Sequence, residues 1–228
     1  MSDTSQAPKR NGHGHLRDII YGAIDGSVTT FAIVAGVAGA GLSPLVIIAL
    51  GFANVIADGF SMAAGNYTGT KAELDDLNRL RRIETRRIAE DPGGIRSELC
   101  EILAAKGLGD GTLERAADEI AAEPERALAM ILDGRYGLSS IDPHPMRAAL
   151  ATFGAFLVAG MVPLLPFLLS LPHAFATATG LTLASFFAIG AYKSRWSLAP
   201  WWRSGLETLG IGGVAAAIAY VVGSFFAI

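Results

Sequence analysis

Residues 16–42 read LRDIIYGAIDGSVTTFAIVAGVAGAGL, and residues 44–69 read PLVIIALGFANVIADGFSMAAGNYTG. Each run is long enough to cross a ~30 Å hydrocarbon core as a helix. Each also carries one aspartate well inside the run, Asp25 in the first and Asp58 in the second. A carboxylate at that depth costs about 2.5–3.5 kcal/mol on insertion scales, so membrane chains keep such residues for ion pathways, proton relays or pairing between helices. At 1.5 Å per residue, Asp25 lies ~13 Å from a membrane face placed at Leu16, and Asp58 lies ~16 Å from the same face placed at Gly69. The short turn from Gly41 to Pro44 makes the two helices antiparallel neighbours. Both carboxylates can therefore face one polar seam near the midplane.

The rest of the chain fits that setting. It is 51% hydrophobic, with a mean hydropathy of +0.42, and its 17% of charged residues are bunched rather than spread. Three further runs, from Arg147 to Leu171, Pro172 to Tyr192 and Leu206 to Ile228, read as spanning helices. The expected fold is an all-α membrane protein with five transmembrane helices. All 18 Lys and Arg fall on one side of this arrangement. Because such residues collect on the cytoplasmic side, the N-terminus is expected in the cytoplasm and the C-terminus outside. A net charge of −3 without a basic-aromatic patch argues against a nucleic-acid partner. The single Cys100 rules out a disulfide framework. No cleavable leader is expected, since the apolar run after Leu16 is too long and lacks a small-residue cleavage site. Compact size and the lack of a targeting segment fit a prokaryotic inner membrane.

Four segments follow in order. Residues 1–14 form a polar tail expected to be disordered, and His13 in it and His15 just after it read as solvated rather than metal-binding. Residues 15–70 hold the first two spans, residues 71–146 a water-soluble cytoplasmic helical insert, and residues 147–228 the last three spans. In the insert, Leu74, Leu77, Leu80, Ile83 and Ile88 form a stripe on a helix that continues the second span and stops at Asp91-Pro92-Gly93-Gly94. Further helices are expected from Ile95 to Lys106, from Thr112 to Ala122, and from Pro124 to near Asp133.

On the second span, Asp58, Met62 and Asn66 stand at i, i+4 and i+8, a ladder of oxygen and sulfur donors on one face. Carboxylate and amide oxygens suit Mn²⁺ and Fe²⁺, while a thioether discourages Mg²⁺ and Ca²⁺, which want all-oxygen shells. On the first span Asp18, Asp25 and Thr29 share a face, and Asp18, beside Arg17 at the membrane edge, reads as a solvated or salt-bridged end residue. Gly22 with Gly26, Ala35 with Gly39 and Gly212 with Ala216 permit close helix packing, in a tight bundle or a dimer. An intramembrane enzyme is disfavoured, because no second clustered acidic motif and no Ser/His or Cys/His pair at matching depth is present. No cofactor is expected.

Two motifs carry a resemblance: Arg17-Asp18 with Tyr21-Gly22-Ala23-Ile24-Asp25-Gly26-Ser27-Val28-Thr29-Thr30, and Ala57-Asp58-Gly59-Phe60-Ser61-Met62-Ala63-Ala64-Gly65-Asn66-Tyr67. With them the chain resembles the vacuolar iron transporter family, in a bacterial-type form, over almost everything after the tail. The resemblance implies a homodimer of five-helix protomers in the lipid bilayer that exchanges cytoplasmic Fe²⁺ or Mn²⁺ for protons. It implies a metal path along Asp25, Asp58, Met62 and Asn66. The family's second-span motif usually ends in a glutamate before the tyrosine, and here that position is Asn66, which can coordinate a cation but cannot exchange a proton. The family's insert gathers glutamates and methionine around metal, and the best matches are Glu90, Glu98, Glu101 and Met130. Arg87 stands where another acid is expected, and Gly134-Arg135 replaces an acidic pair, so the insert looks depleted. The main expectation is a secondary transporter exporting a divalent transition metal; the alternative is a membrane-anchored metal-binding or sensing protein without transport.

Overall fold

The computed structural model describes residues 13–138 and 143–227, so the tail up to residue 12 lies outside the described residues. Among the described residues the regular elements are all helical: α1 (His13–Gly39), α2 (Pro44–Glu90), α3 (Pro92–Ala105), α4 (Asp110–Ala121), α5 (Pro124–Tyr136), α6 (Pro145–Met161), α7 (Leu165–Leu168), α8 (Ala174–Lys193) and α9 (Trp201–Ser224). Five stretches are long and apolar enough to span a bilayer: Leu16–Gly39, Pro44–Glu90, Pro145–Leu168, Ala174–Lys193 and Trp201–Ser224. The chain divides into two compact units, Met1–Thr68 with Pro145–Ile228, and Gly69–His144.

In the first unit, α1 stops where backbone chemistry dictates. Gly41 takes φ +72°, and the N–H groups of Gly41 and Leu42 donate to the carbonyls of Ala38 and Val37, closing the helix as a Schellman cap. Pro44 then opens α2. The third span is less regular than expected. Pro163 and Pro166 lack the N–H that an α-helix needs, so α6 gives way to one 3₁₀ turn, Val162–Leu164, before the short α7. The fifth span begins at Trp201, ahead of the expected Leu206, because the Pro200 carbonyl accepts from the N–H groups of Arg203 and Ser204 and starts the helix at once.

Where lipid is the solvent, apolar burial alone does not draw helices together; close van der Waals packing does. The small residues serve that purpose within the first unit. A Cβ on Gly26 would sit 2.6 Å from the Phe156 carbonyl oxygen, and one on Gly39 2.5 Å from the Tyr220 carbonyl oxygen. Gly26 thus joins α1 to α6, and Gly39 joins α1 to α9. Around these seams Phe31, Val34, Ile47, Val55, Leu164 and Phe167 form the apolar core.

The second unit folds around Ile95, Leu99, Ile102, Leu103, Ala117, Ala127 and Ile131. Asp91 caps α3 by accepting from the Gly94 N–H at 2.9 Å, and Pro92 takes the first helical position, where no N–H is missed. Of the expected stripe, Leu77 is buried and Ile88 packs on this core, whereas Ile83 faces outward.

Candidate functional site

Asp25 on α1 and Asp58 on α2 are both half-buried. The hydrogen bonds found for the adjoining Thr29 and Asn54 do not go to the acid side chains. Thr29 Oγ1 donates to the Asp25 carbonyl oxygen at 2.8 Å, turning the hydroxyl back onto its own helix. Asn54, on the facing helix, donates from Nδ2 to that same hydroxyl oxygen at 3.4 Å. The seam therefore contains a further amide close to Asp25.

A cleft of about 280 Å³ is lined by Arg17, Asp18, Tyr21, Met62, Asn66 and Thr152, together with Gly65; neither Asp25 nor Asp58 lines it. Met62 is half-buried and faces this cleft, one turn along α2 from Asp58. The expectation for Asp18 as a solvated or salt-bridged end residue is corrected here. Asp18 is only 6% exposed, and its Oδ1 accepts from Asn66 Nδ2 at 3.0 Å. Asn66 Nδ2 also donates to Thr152 Oγ1 at 2.7 Å. The amide nitrogen thus links a carboxylate on α1 to a hydroxyl on α6. This polar cluster joins three helices, and only Asn66 among its members stood out in the sequence as a ligand candidate. Asp18 stands seven residues before Asp25 on the same face, a signal that was present; Thr152 had none.

In the second unit, Glu90, Glu98, Glu101 and Met130 occupy different surroundings. Among the described residues, no three His, Cys, Asp or Glu side chains converge in a way that would hold a metal. Glu90 pairs with Arg86 at 2.6 Å on the surface, and Glu101 is exposed beside a shallow cleft of about 630 Å³ that also includes Glu98 and Arg135. Met130 packs against the apolar core.

Glu98 is the focus of a different arrangement. Its Oε2 accepts from Arg87 at 2.7 Å and its Oε1 from Arg135 at 3.0 Å. Burial works to raise this carboxyl, but the hydrogen bonds and charges of the two arginines together overcome it and hold the group below the usual carboxylate range. Arg87 also pairs with Glu84, which is 1% exposed and accepts a second bond, at 2.6 Å, from the Tyr136 hydroxyl. Two guanidinium groups thus sit among the acids of the insert as fixed cations.

Comparison with known proteins bears on this geometry. The VIT family model matches residues 16–224. The chain is 32% identical over 209 residues to vacuolar iron transporter 1 of Arabidopsis thaliana, covering 90% of this chain and 83% of that one. It is 31% identical over 208 residues to vacuolar iron transporter 1 of Oryza sativa subsp. japonica, covering 90% and 82%. It is 28% identical over 222 residues to the vacuolar iron transporter of Toxoplasma gondii, covering 92% and 74%. A match over nearly the whole chain, reaching across both helical units, shows that this protein belongs to the VIT family.

Proposed function

We propose that this protein is a secondary transporter that moves Fe²⁺ or Mn²⁺ out of the cytoplasm in exchange for protons. The observation that carries this reading is the presence of two half-buried carboxylates, Asp25 and Asp58, inside the first two spans, with Met62 one turn further along α2 and facing a cleft. Two carboxylates brought near each other in a medium of low dielectric repel, and either a dication between them or a proton on one of them relieves the repulsion. Metal and proton then compete for one place, which is what an exchanger requires. The Met62 thioether tilts the choice toward Fe²⁺ and Mn²⁺ and away from Mg²⁺.

Leu45, Ile56 and Phe60 leave a broad apolar face of α2 exposed, which suits lipid or a second protomer. A dimer with the N-terminus and insert in the cytoplasm and the C-terminus outside agrees with the one-sided Lys and Arg. The sensor alternative is less well supported, because arginine side chains already neutralise Glu98.

The test is metal flux in proteoliposomes holding a pH-sensitive dye, with an imposed pH gradient. Metal movement should be accompanied by opposite proton movement, and both should fall to background in Asp25→Asn and Asp58→Asn. Flux that survives unchanged in either variant would sink the reading. Intact metal binding with no flux in the wild type would favour the sensor.

A further inference from the structure

A second cleft, of about 440 Å³, lies between α1 and the last turn of α8, with an apolar wall and a cationic rim. Leu16, Ile20 and Ile24 stand at i, i+4 and i+8 on α1 and form the wall. Arg17 and Lys193 supply the charge, and Tyr21 and Ser197 complete the lining. Neither cation makes an ion pair among the described residues. This is unlike the second unit, where Arg79, Arg86, Arg87, Arg96, Arg126 and Arg135 are each paired with an acid.

The cleft lies where headgroups would be. Tyr192, Trp201 and Trp202 are exposed at the neighbouring ends of α8 and α9, and the Arg195 guanidinium lies over the Tyr192 ring at 5.8 Å. Exposed Tyr and Trp at helix ends mark the membrane–water interface. All the residues around the rim lie on the Lys/Arg-rich side of the protein.

We propose that this cleft binds an anionic phospholipid, with the phosphate between Arg17 and Lys193 and the upper acyl chain along Leu16, Ile20 and Ile24. Basic recesses between spanning helices on the cytoplasmic side are suited to such headgroups. The two chemistries of the cleft select the occupant. A free phosphate would satisfy the rim but leave the apolar wall in water. A zwitterionic lipid would bring its own ammonium group toward two cations that form no ion pair among the described residues. A lipid with net negative charge satisfies both parts. The volume falls within the ~300–1,000 Å³ typical of small-molecule sites.

The experiment is native mass spectrometry of the full-length protein released from nanodiscs, with phosphatidylglycerol competing against phosphatidylcholine. The wild type should retain phosphatidylglycerol in preference by about tenfold or more. The double variant Arg17→Gln/Lys193→Gln should lose that preference, and Ile20→Trp should weaken retention by filling the wall while leaving both charges in place. Arg203→Gln, at an interfacial cation outside the cleft, should behave as wild type. An unchanged preference in the double variant overturns the proposal, as does an equal loss in Arg203→Gln, which would indicate diffuse surface charge. Displacement of the lipid by inorganic phosphate alone would show that the apolar wall contributes nothing, and would also overturn it. Unaltered thermal unfolding of each variant in detergent shows that the fold is intact. Lipid retention is read without metal flux, so this site and the transport reading stand or fall separately.

Discussion

Asn66 and Asp18, 48 residues apart, are joined by a 3.0 Å hydrogen bond in which the amide donates and the carboxylate accepts. The same nitrogen reaches Thr152 at 2.7 Å, so the residue that replaces an expected acid serves as the donor of a three-helix junction. It is also the hydrogen-bond donor found for this carboxylate, which is 6% exposed, among the described residues.

Asn66→Ala should therefore destabilise the protein by about 1–3 kcal/mol, the usual cost of stranding a buried acceptor. Asn66→Glu should behave differently, because it sets a second carboxylate against Asp18. That variant should melt below wild type at neutral pH without metal and recover on acidification or on addition of Mn²⁺. Thermal unfolding of the purified protein with and without Mn²⁺ measures both effects. A glutamate variant more stable than wild type in the absence of metal would contradict this account of the junction.

Gly26→Ala should loosen the α1–α6 seam. The added methyl would meet the Phe156 backbone, which cannot rotate away as a side chain can, so the cost should be about 1–3 kcal/mol. Gly154→Ala is the matched control, since nothing lies within 4 Å of its Cβ position. Relief of glycine's backbone entropy should make that change neutral or stabilising by up to ~1 kcal/mol. Chemical denaturation in detergent distinguishes the two.

Arg87→Gln should destabilise the second unit by about 1–3 kcal/mol. It leaves Glu84, which is 1% exposed, with less compensation, while the 37% exposure of Arg87 lets solvent soften the loss. Tyr136→Phe removes the other donor to Glu84 and should cost about 1.5–3 kcal/mol. A double-mutant cycle between positions 87 and 98 should give a non-zero coupling; simple additivity would mean that the Arg87–Glu98 pair contributes nothing.

The second unit should also respond to pH in a defined direction. The Glu98 carboxyl lies below its ordinary value of 4.5, so its stabilising effect is fully present above that value and is lost as pH falls through the lowered value. Tyr136 works in the opposite sense. The hydrogen bond to Glu84 first, and burial second, raise it above 10.0, so its contribution is intact below 10.0 and disappears as pH rises through the raised value. Hydrogen exchange in residues 92–136, corrected for its intrinsic pH dependence, should show protection that weakens in acid and in strong base. The acid limb should shrink in Glu98→Gln.

Much of the architecture was legible in the sequence because membrane spans and amphipathic helices are local patterns. The continuation of α2 to Glu90, the break at Asp91-Pro92 and the helix opening at Pro124 all follow from runs and caps a few residues long. The end of α6 was less legible, since two prolines thin out a helix without ending its apolar run. The start of α9 was missed because Trp201, Trp202 and Arg203 look like interfacial loop residues although Pro200 already starts the helix. Asp25 and Asp58 could be matched by depth alone. The burial of Asp18 could not, because it depends on Thr152 arriving on a third helix whose approach is set by Gly22 and Gly26. Arg87 and Arg135 were visible as losses of acid, but their meeting on Glu98 spans 11 and 37 residues and has no periodic signature.

That meeting has a consequence for how the insert behaves as its surroundings change. A bound dication obeys mass action: it leaves when its free concentration drops below the dissociation constant, and a chelator removes it. A guanidinium carried by the chain stays at an effective concentration fixed by the fold, and nothing in solution dilutes it. At Glu98 the insert therefore draws its counter-charge from the chain itself, through Arg87 and Arg135.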